Sequence, residues 1–446
     1  MCYYKEKGVK RLLSPLPLIT TAKALRTNQL DLASFIESIC QHIDALEPQI
    51  NALLPEPGRR TRLLAEARSL QKRFPDPASR PALYGILLGV KEVFNVDGFP
   101  TRAGSQLPPE LFAGVEATCV SALRSAGAII LGKTVSTEFA WAEPGPTRNP
   151  YNLAHTPGGS SSGSAAAVAA GFCPLALGTQ TVGSVIRPAA FCGIVGFKPS
   201  YGRISTDGMV FFSPSLDTVG FFTQGVAGTA LVAPFLCKDW KPAELETLPV
   251  LGVPDGPYLE QASVEALAAF EQQLSVLEKA GYTVRHVKAM SDIAAINQRN
   301  RQLMFAEMAR VHTPWFAQYE SLYRPRTAAA IHEGQAVDDK TLTTARTERA
   351  LVRAKFQVLM SQHGIDLWLS PAATGPAPEG IETTGNPVMN LPWTHAGLPV
   401  ITLPAGKAAN GLDGLDGLPL GLQCAADFMA DEKLVGWTEG ISGLLV

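Results

Sequence analysis

Leu32, Phe35, Ile36, Ile39, Ile43 and Leu46 recur at the three- and four-residue spacing of one helical face. They directly follow Asp31, whose carboxylate suits an N-cap, so the pattern predicts an amphipathic helix. Its apolar face packs on the core, or at a subunit contact in a homodimer. Residues 263–280 repeat the pattern and stop at Gly281, between apolar runs at 250–253 and 282–287. That is a strand, helix, strand order. The same alternation at 117–131, with Gly127 as the helix stop and 128–131 as the apolar run, predicts an α/β sheet covered by helices. Residues 288–365 are mostly helical in pattern and carry Met304, Phe305, Met308, Trp315, Phe316, Tyr319 and Tyr323, which burial preference assigns to core before pocket. The Gly-Leu-Asp repeats within 406–417 read as a surface loop.

Composition narrows the class. The chain has 446 residues, 46% of them hydrophobic, enough for a sizeable core, and its formal net charge of −2 provides no basic field for nucleic acid or an anionic membrane. No uncharged apolar run reaches the roughly 18 residues of a membrane span, and residues 1–18 carry basic groups without a signal-type apolar centre. The seven cysteines, Cys2, Cys40, Cys119, Cys173, Cys192, Cys237 and Cys424, are odd in number and scattered, and neither C-x-x-C nor H-E-x-x-H occurs. A reducing cytoplasm and no metal are therefore expected.

Residues 157–199 hold the unusual chemistry. They are too apolar for a linker, yet they place serines in two Gly-bounded clusters where a packed core would want none. Ala-rich residues 165–170 predict a small-faced helix that lets neighbours press in, and the glycines permit close backbone approach. The second cluster, Gly178-Thr-Gln-Thr-Val-Gly-Ser184, follows the apolar run 174–177 and so presents consecutive N–H groups and one hydroxyl at a strand end. Two formal motif matches fail on context. Gly127 to Thr134 fits G-x-x-x-x-G-K-S/T, but its four middle residues read as the strand itself rather than as a phosphate-binding loop. Gly159 to Gly163 fits G-x-S-x-G, but loop residues precede it where a nucleophile elbow needs a strand.

These clusters, with GVKEVFNVDG at 89–98, TRAGS at 101–105, AGAIILGKTVSTEFA at 126–140, GPTRNPYN at 145–152, GFKPSYGRIS at 196–205 and the C-terminal GLPVITLPAG and GLPLGLQ, resemble the amidase signature family of serine amidases. The resemblance spans most of the chain, in order. It implies an α/β fold with a large mixed β-sheet covered by helices on both faces, forming one domain over 1–446. Its parts are a helical N-terminal part at about 18–75, a signature core at about 80–225, a variable helical segment at about 288–365 and a C-terminal core at about 366–446. Some aromatic residues of the variable segment then wall the acyl site.

Amide hydrolysis needs a nucleophile, a base and oxyanion donors. The seven histidines lie in no motif that suggests a base, whereas Lys91 follows the apolar run 87–90, where desolvation lowers a lysine pKa. Carried over, the family pattern makes Ser184 the nucleophile, Lys91 the base and Ser160, after a cis Gly159–Ser160 bond, the bridging hydroxyl. The N–H groups of Thr181, Val182, Gly183 and Ser184 then form the oxyanion hole, with no cofactor. This chain departs from the commoner Gly-Thr-Asp-Thr-Gly-Gly-Ser by Gln180 and Val182, carries its arginine one residue later at Arg187, and has Glu92 for the frequent Asp. Val182, being β-branched, must be held at negative φ. The implied activity is hydrolysis of a small-molecule carboxamide. The alternatives are the glutaminase subunit of a tRNA-dependent amidotransferase, which works with partner subunits, and a catalytically silent scaffold or binding subunit.

Overall fold

The computed structural model describes residues 12–408 and 417–445, and the backbone of 5–6 and 9–10. Ten strands form one sheet among the described residues: β1 Leu87–Lys91, β2 Ile129–Thr134, β3 Leu175–Gln180, β4 Val195–Lys198, β5 Thr218–Thr223, β6 Leu251–Asp255, β7 Val284–Lys288, β8 Leu367–Pro371, β9 Val400–Lys407 and β10 Pro419–Ala426. The order across it is β2-β1-β3-β5-β4-β9-β10-β8-β6-β7. β1 runs parallel to β2 and β3, and β6 runs parallel to β7 and β8, while the pairs between these outer groups are antiparallel.

Successive strand residues point to opposite faces, so a strand buried at every position is covered on both sides. β1, β2, β3, β4, β5 and β8 are all of this kind, which explains their nearly continuous apolar sequences. The edges are handled differently. β7 exposes Arg285 and Lys288, charge that discourages pairing with another chain. At β2 the N-terminal segment covers the edge: Leu54 N donates to Lys133 O, Val135 N donates to Ala52 O, and Arg62 donates from Nη1 to Ile130 O (2.9 Å) and from Nη2 to Leu131 O (3.1 Å).

The helices follow the expected pattern. Asp31 caps Leu32–Ile50 by accepting from Ser34 N, Ser263 caps Val264–Lys279 by accepting from Ala266 N, and Ile293–Tyr319, Pro325–Gln335 and Asp339–His363 fill the variable segment. Met304, Phe305, Met308, Phe316 and Tyr323 are buried, and Trp315 and Tyr319 half-buried. Of the loop expected at 406–417, residues 409–416 lie outside the described residues, and β9 runs on through Gly406 to Lys407. Cys2 is also outside them. The other six cysteines are free and buried, and among the described residues no helix is long and apolar enough to cross a membrane.

Candidate active site

Because β1 and β3 are parallel neighbours, with Val90 opposite Leu177, their C-terminal ends open side by side. Lys91 ends β1 and Thr179 stands near the end of β3. Lys91 is wholly buried, and its Nζ lies 2.7 Å from Ser160 Oγ, 2.7 Å from Thr179 Oγ1 and 3.5 Å from Thr179 O. Burial lowers the Lys91 pKa to about 7, and the field of Asp217 opposes part of that fall. Asp217 is itself buried, which raises its carboxyl to about 6. It accepts from Thr181 Oγ1 (2.5 Å), Phe212 N (2.7 Å) and Ser213 N (3.0 Å).

Ser160 comes from the first serine cluster. The Gly159–Ser160 peptide is cis, and Gly158 has φ 82°. Ser162–Ala169 is a helix in which every residue is buried. Small residues are required there: a Cβ on Gly163 would meet Ala52 O at 2.2 Å and Val135 N at 2.4 Å. Ser161 Oγ stitches the cluster to β3, donating to Thr179 O and accepting from Thr179 N, both at 3.3 Å. Thr137 N, from the loop after β2, donates to Ser160 O at 3.2 Å.

The second cluster turns from β3 into the helix Ile186–Phe191. Gln180 accepts on Oε1 from Val185 N (2.8 Å) and Ile186 N (3.0 Å), so its acceptor ties down the helix start. Val182 is not among the residues at positive φ. Among the described residues, the N–H groups of Thr181, Val182, Gly183 and Ser184 donate to no protein acceptor, although the segment is buried. Ser184, 7% exposed, makes no side-chain hydrogen bond to a protein group among the described residues, and the Ser160–Ser184 bridge implied by the resemblance is not a hydrogen bond in this structure.

The remaining departures also have places. Glu92 accepts from Arg102 N (3.2 Å) and Gly104 N (2.8 Å), fixing the TRAGS loop. Arg187 is buried without an ion-pair partner among the described residues. It donates from Nη2 to Gly159 O (2.7 Å) and Thr384 Oγ1 (3.1 Å), and burial lowers it to about 9. Lys133, from the false phosphate-loop match, sits in β2 and donates to Phe94 O, Pro100 O and Thr101 Oγ1. Cys192 is buried, and burial pushes its thiol well up. Among the described residues no group of three His, Cys, Asp or Glu has metal-binding geometry. The variable segment meets the 138–141 turn, where Phe139 stacks on Tyr323 at 5.4 Å and Trp141 meets Phe305 edge-on at 4.9 Å. Thr179 lies within the second cluster, where the sequence alone assigns it no role, and no local motif marks Asp217 or Thr394.

Comparison with known proteins agrees with this architecture. A crystal structure of an amidase is 32% identical, with a TM-score of 0.85 over 95% of this chain and 99% of its own. The native peptide amidase from Stenotrophomonas maltophilia is 25% identical, with a TM-score of 0.81 over 97% of each chain. Curated relatives include a glutamyl-tRNA(Gln) amidotransferase subunit from Roseiflexus sp. (strain RS-1), 30% identical over 95% of each chain. The corresponding protein from Synechococcus sp. (strain RCC307) is 31% identical over 94% of this chain and 95% of its own. The family model described as Amidase matches residues 34–435, and the chain belongs to that family.

Proposed function

We propose that this chain cleaves a small-molecule carboxamide through an acyl-enzyme on Ser184, releasing a carboxylate and an amine or ammonia. The observation that carries the reading is a buried Lys91 amine 2.7 Å from Ser160 Oγ, next to a row of unpartnered N–H groups that ends at Ser184. Ser184 Oγ attacks the carbonyl carbon, and its proton passes through Ser160 to the neutral Lys91 amine. The carbonyl oxygen, now anionic, is met by the N–H groups at 181–184. Each such donor is worth about a hundred- to a thousandfold in rate. Lys91 returns the proton through Ser160 to the leaving nitrogen as the C–N bond breaks. Water then adds to the acyl carbon, passing a proton through Ser160 to Lys91, and the bond to Ser184 Oγ breaks as that proton returns to Oγ, releasing the acid.

A second reading shares this chemistry and is favoured by the names of the curated relatives: the glutaminase component of a tRNA-dependent amidotransferase, which would hydrolyse glutamine alongside partner subunits. The solved amidase and peptide amidase favour a hydrolase that acts alone. The six free cysteines among the described residues support a reducing, cytoplasmic setting. The discriminating experiment assays the purified chain on a panel of simple amides and glutamine, in chelator and without ATP. Turnover by the chain alone supports the hydrolase. Glutamine turnover that appears only with a second subunit, ATP and aminoacylated tRNA replaces it with the amidotransferase reading. Failure of Ser184 to react with any acyl donor in either setting leaves the silent scaffold.

A further inference from the structure

Thr394 lies in the short helix Leu391–Ala396, more than two hundred residues from the second serine cluster, yet its hydroxyl is buried against that cluster. Thr394 Oγ1 donates to Val182 O at 2.8 Å and accepts from Gln180 Nε2 at 2.8 Å. The direction of both bonds is forced. Gln180 Oε1 already accepts two backbone N–H groups, so the other end of its amide must be the nitrogen, which can only donate. A hydroxyl carries one hydrogen, and with Gln180 as donor Thr394 turns that hydrogen to Val182 O.

A trans peptide is planar, with its C=O and N–H pointing in opposite directions. Holding Val182 O toward Thr394 therefore turns the Gly183 N–H the other way, out of the Thr394 helix. This N–H is one of the four that have no protein acceptor. Asn390, at the N-cap of this helix, packs close behind Gly183: a Cβ there would lie 2.3 Å from Asn390 Oδ1, so position 183 has no room for a side chain.

We infer that Thr394, oriented by Gln180, is a positioning residue that aims the Gly183 N–H at the oxyanion. The inference rests on the acyl-enzyme reading above. It also gives the departure at position 180 a reason. A carboxylate there accepts only, and would draw the Thr394 hydrogen away from Val182 O, whereas an amide supplies a hydrogen and leaves Thr394 free to hold the carbonyl.

The test uses an alkyl fluorophosphonate, whose phosphorus is attacked by Ser184 Oγ with loss of fluoride, and whose phosphoryl oxygen takes the place of the carbonyl oxygen. Labelling of the full chain is followed by intact mass. Saturation separates probe affinity from the rate of bond formation. For Thr394→Val the rate of bond formation falls about a hundredfold, with probe affinity and melting temperature near wild type. Thr394→Ser keeps the hydroxyl and restores most of the rate. Gln180→Glu slows the step as well, and the double variant Gln180→Glu/Thr394→Val is no slower than Thr394→Val alone, because both act through one carbonyl. Wild-type labelling that Thr394→Val leaves undiminished overturns the inference alone. So does a loss in Thr394→Val that appears in affinity and melting temperature and is not restored by Thr394→Ser. A wild-type chain that never labels overturns the acyl-enzyme reading and this inference with it.

Discussion

Thr179 Oγ1 lies 2.7 Å from Lys91 Nζ across the parallel β1–β3 pair. A neutral amine has two hydrogens and one lone pair. If Thr179 accepts one of the hydrogens, the lone pair turns to Ser160, as a base must in order to take a proton. Thr179→Val keeps the shape and removes the acceptor, so kcat should fall about tenfold, the worth of one modest hydrogen bond, while Thr179→Ser stays near wild type. Steady-state kinetics on any amide the chain turns over checks this. Equal loss in the serine variant would assign the effect to packing.

The pH profile tests the base. Burial holds Lys91 at about 7, and only the neutral amine accepts a proton, so kcat/KM should rise with pH through a limb near 7 and level off above it. Asp217 favours the charged amine; with Asn at 217 that field is gone, the amine loses its proton at lower pH, and the limb moves to the acid side. A limb that stays in place or moves alkaline would contradict this role for Asp217. One that vanishes in a single His→Ala variant would give the base to a histidine.

Gly163→Ala tests the packing behind Ser160. The added methyl meets backbone on two sides, Ala52 O at 2.2 Å and Val135 N at 2.4 Å, and neither can rotate away. Overpacking of this kind costs about 1–3 kcal/mol, so the melting temperature should fall, and activity with it as the helix that follows Ser160 shifts. An unchanged melting temperature would show that the helix accommodates a side chain there.

Arg62 tests the guarded edge of the sheet. Arg62→Met keeps most of the stem but strips donors from Ile130 O and Leu131 O, which are otherwise covered by the N-terminal segment. Leaving buried carbonyls unmet costs about 1–3 kcal/mol, seen as a lower melting temperature with little change in KM.

Much of the fold was legible because its signals are local. The 3.6-residue spacing after Asp31, the stop at Gly281 and the apolar runs that became β1, β2 and β3 each sit within a few neighbours in the chain. The sheet order was not legible, since no short stretch tells that β4 lies between β5 and β9. The site divides in the same way. Lys91, Ser160 and Ser184 stand in compact motifs, whereas Asp217 sits in an ordinary strand approach and Thr394 in a short helix. Both reach the second cluster only through the folded chain, Thr394 from more than two hundred residues away. Gln180 stood out as a change of charge. Its use became visible once Thr394 Oγ1 was seen 2.8 Å from its amide nitrogen.

On this mechanism the chain acting alone forms a covalent acyl intermediate on Ser184. Its most direct test is intact-mass and peptide-map spectrometry of the purified chain, quenched in acid seconds after mixing with a panel of carboxamides in excess chelator and without nucleotide. The expected result is a mass increase equal to the acyl group, on the peptide containing Ser184, absent from Ser184→Ala and strongly reduced in Lys91→Ala. An adduct on another residue, or one that persists in Ser184→Ala, would contradict it, and an adduct that forms only after a second subunit is added would transfer the activity to a complex.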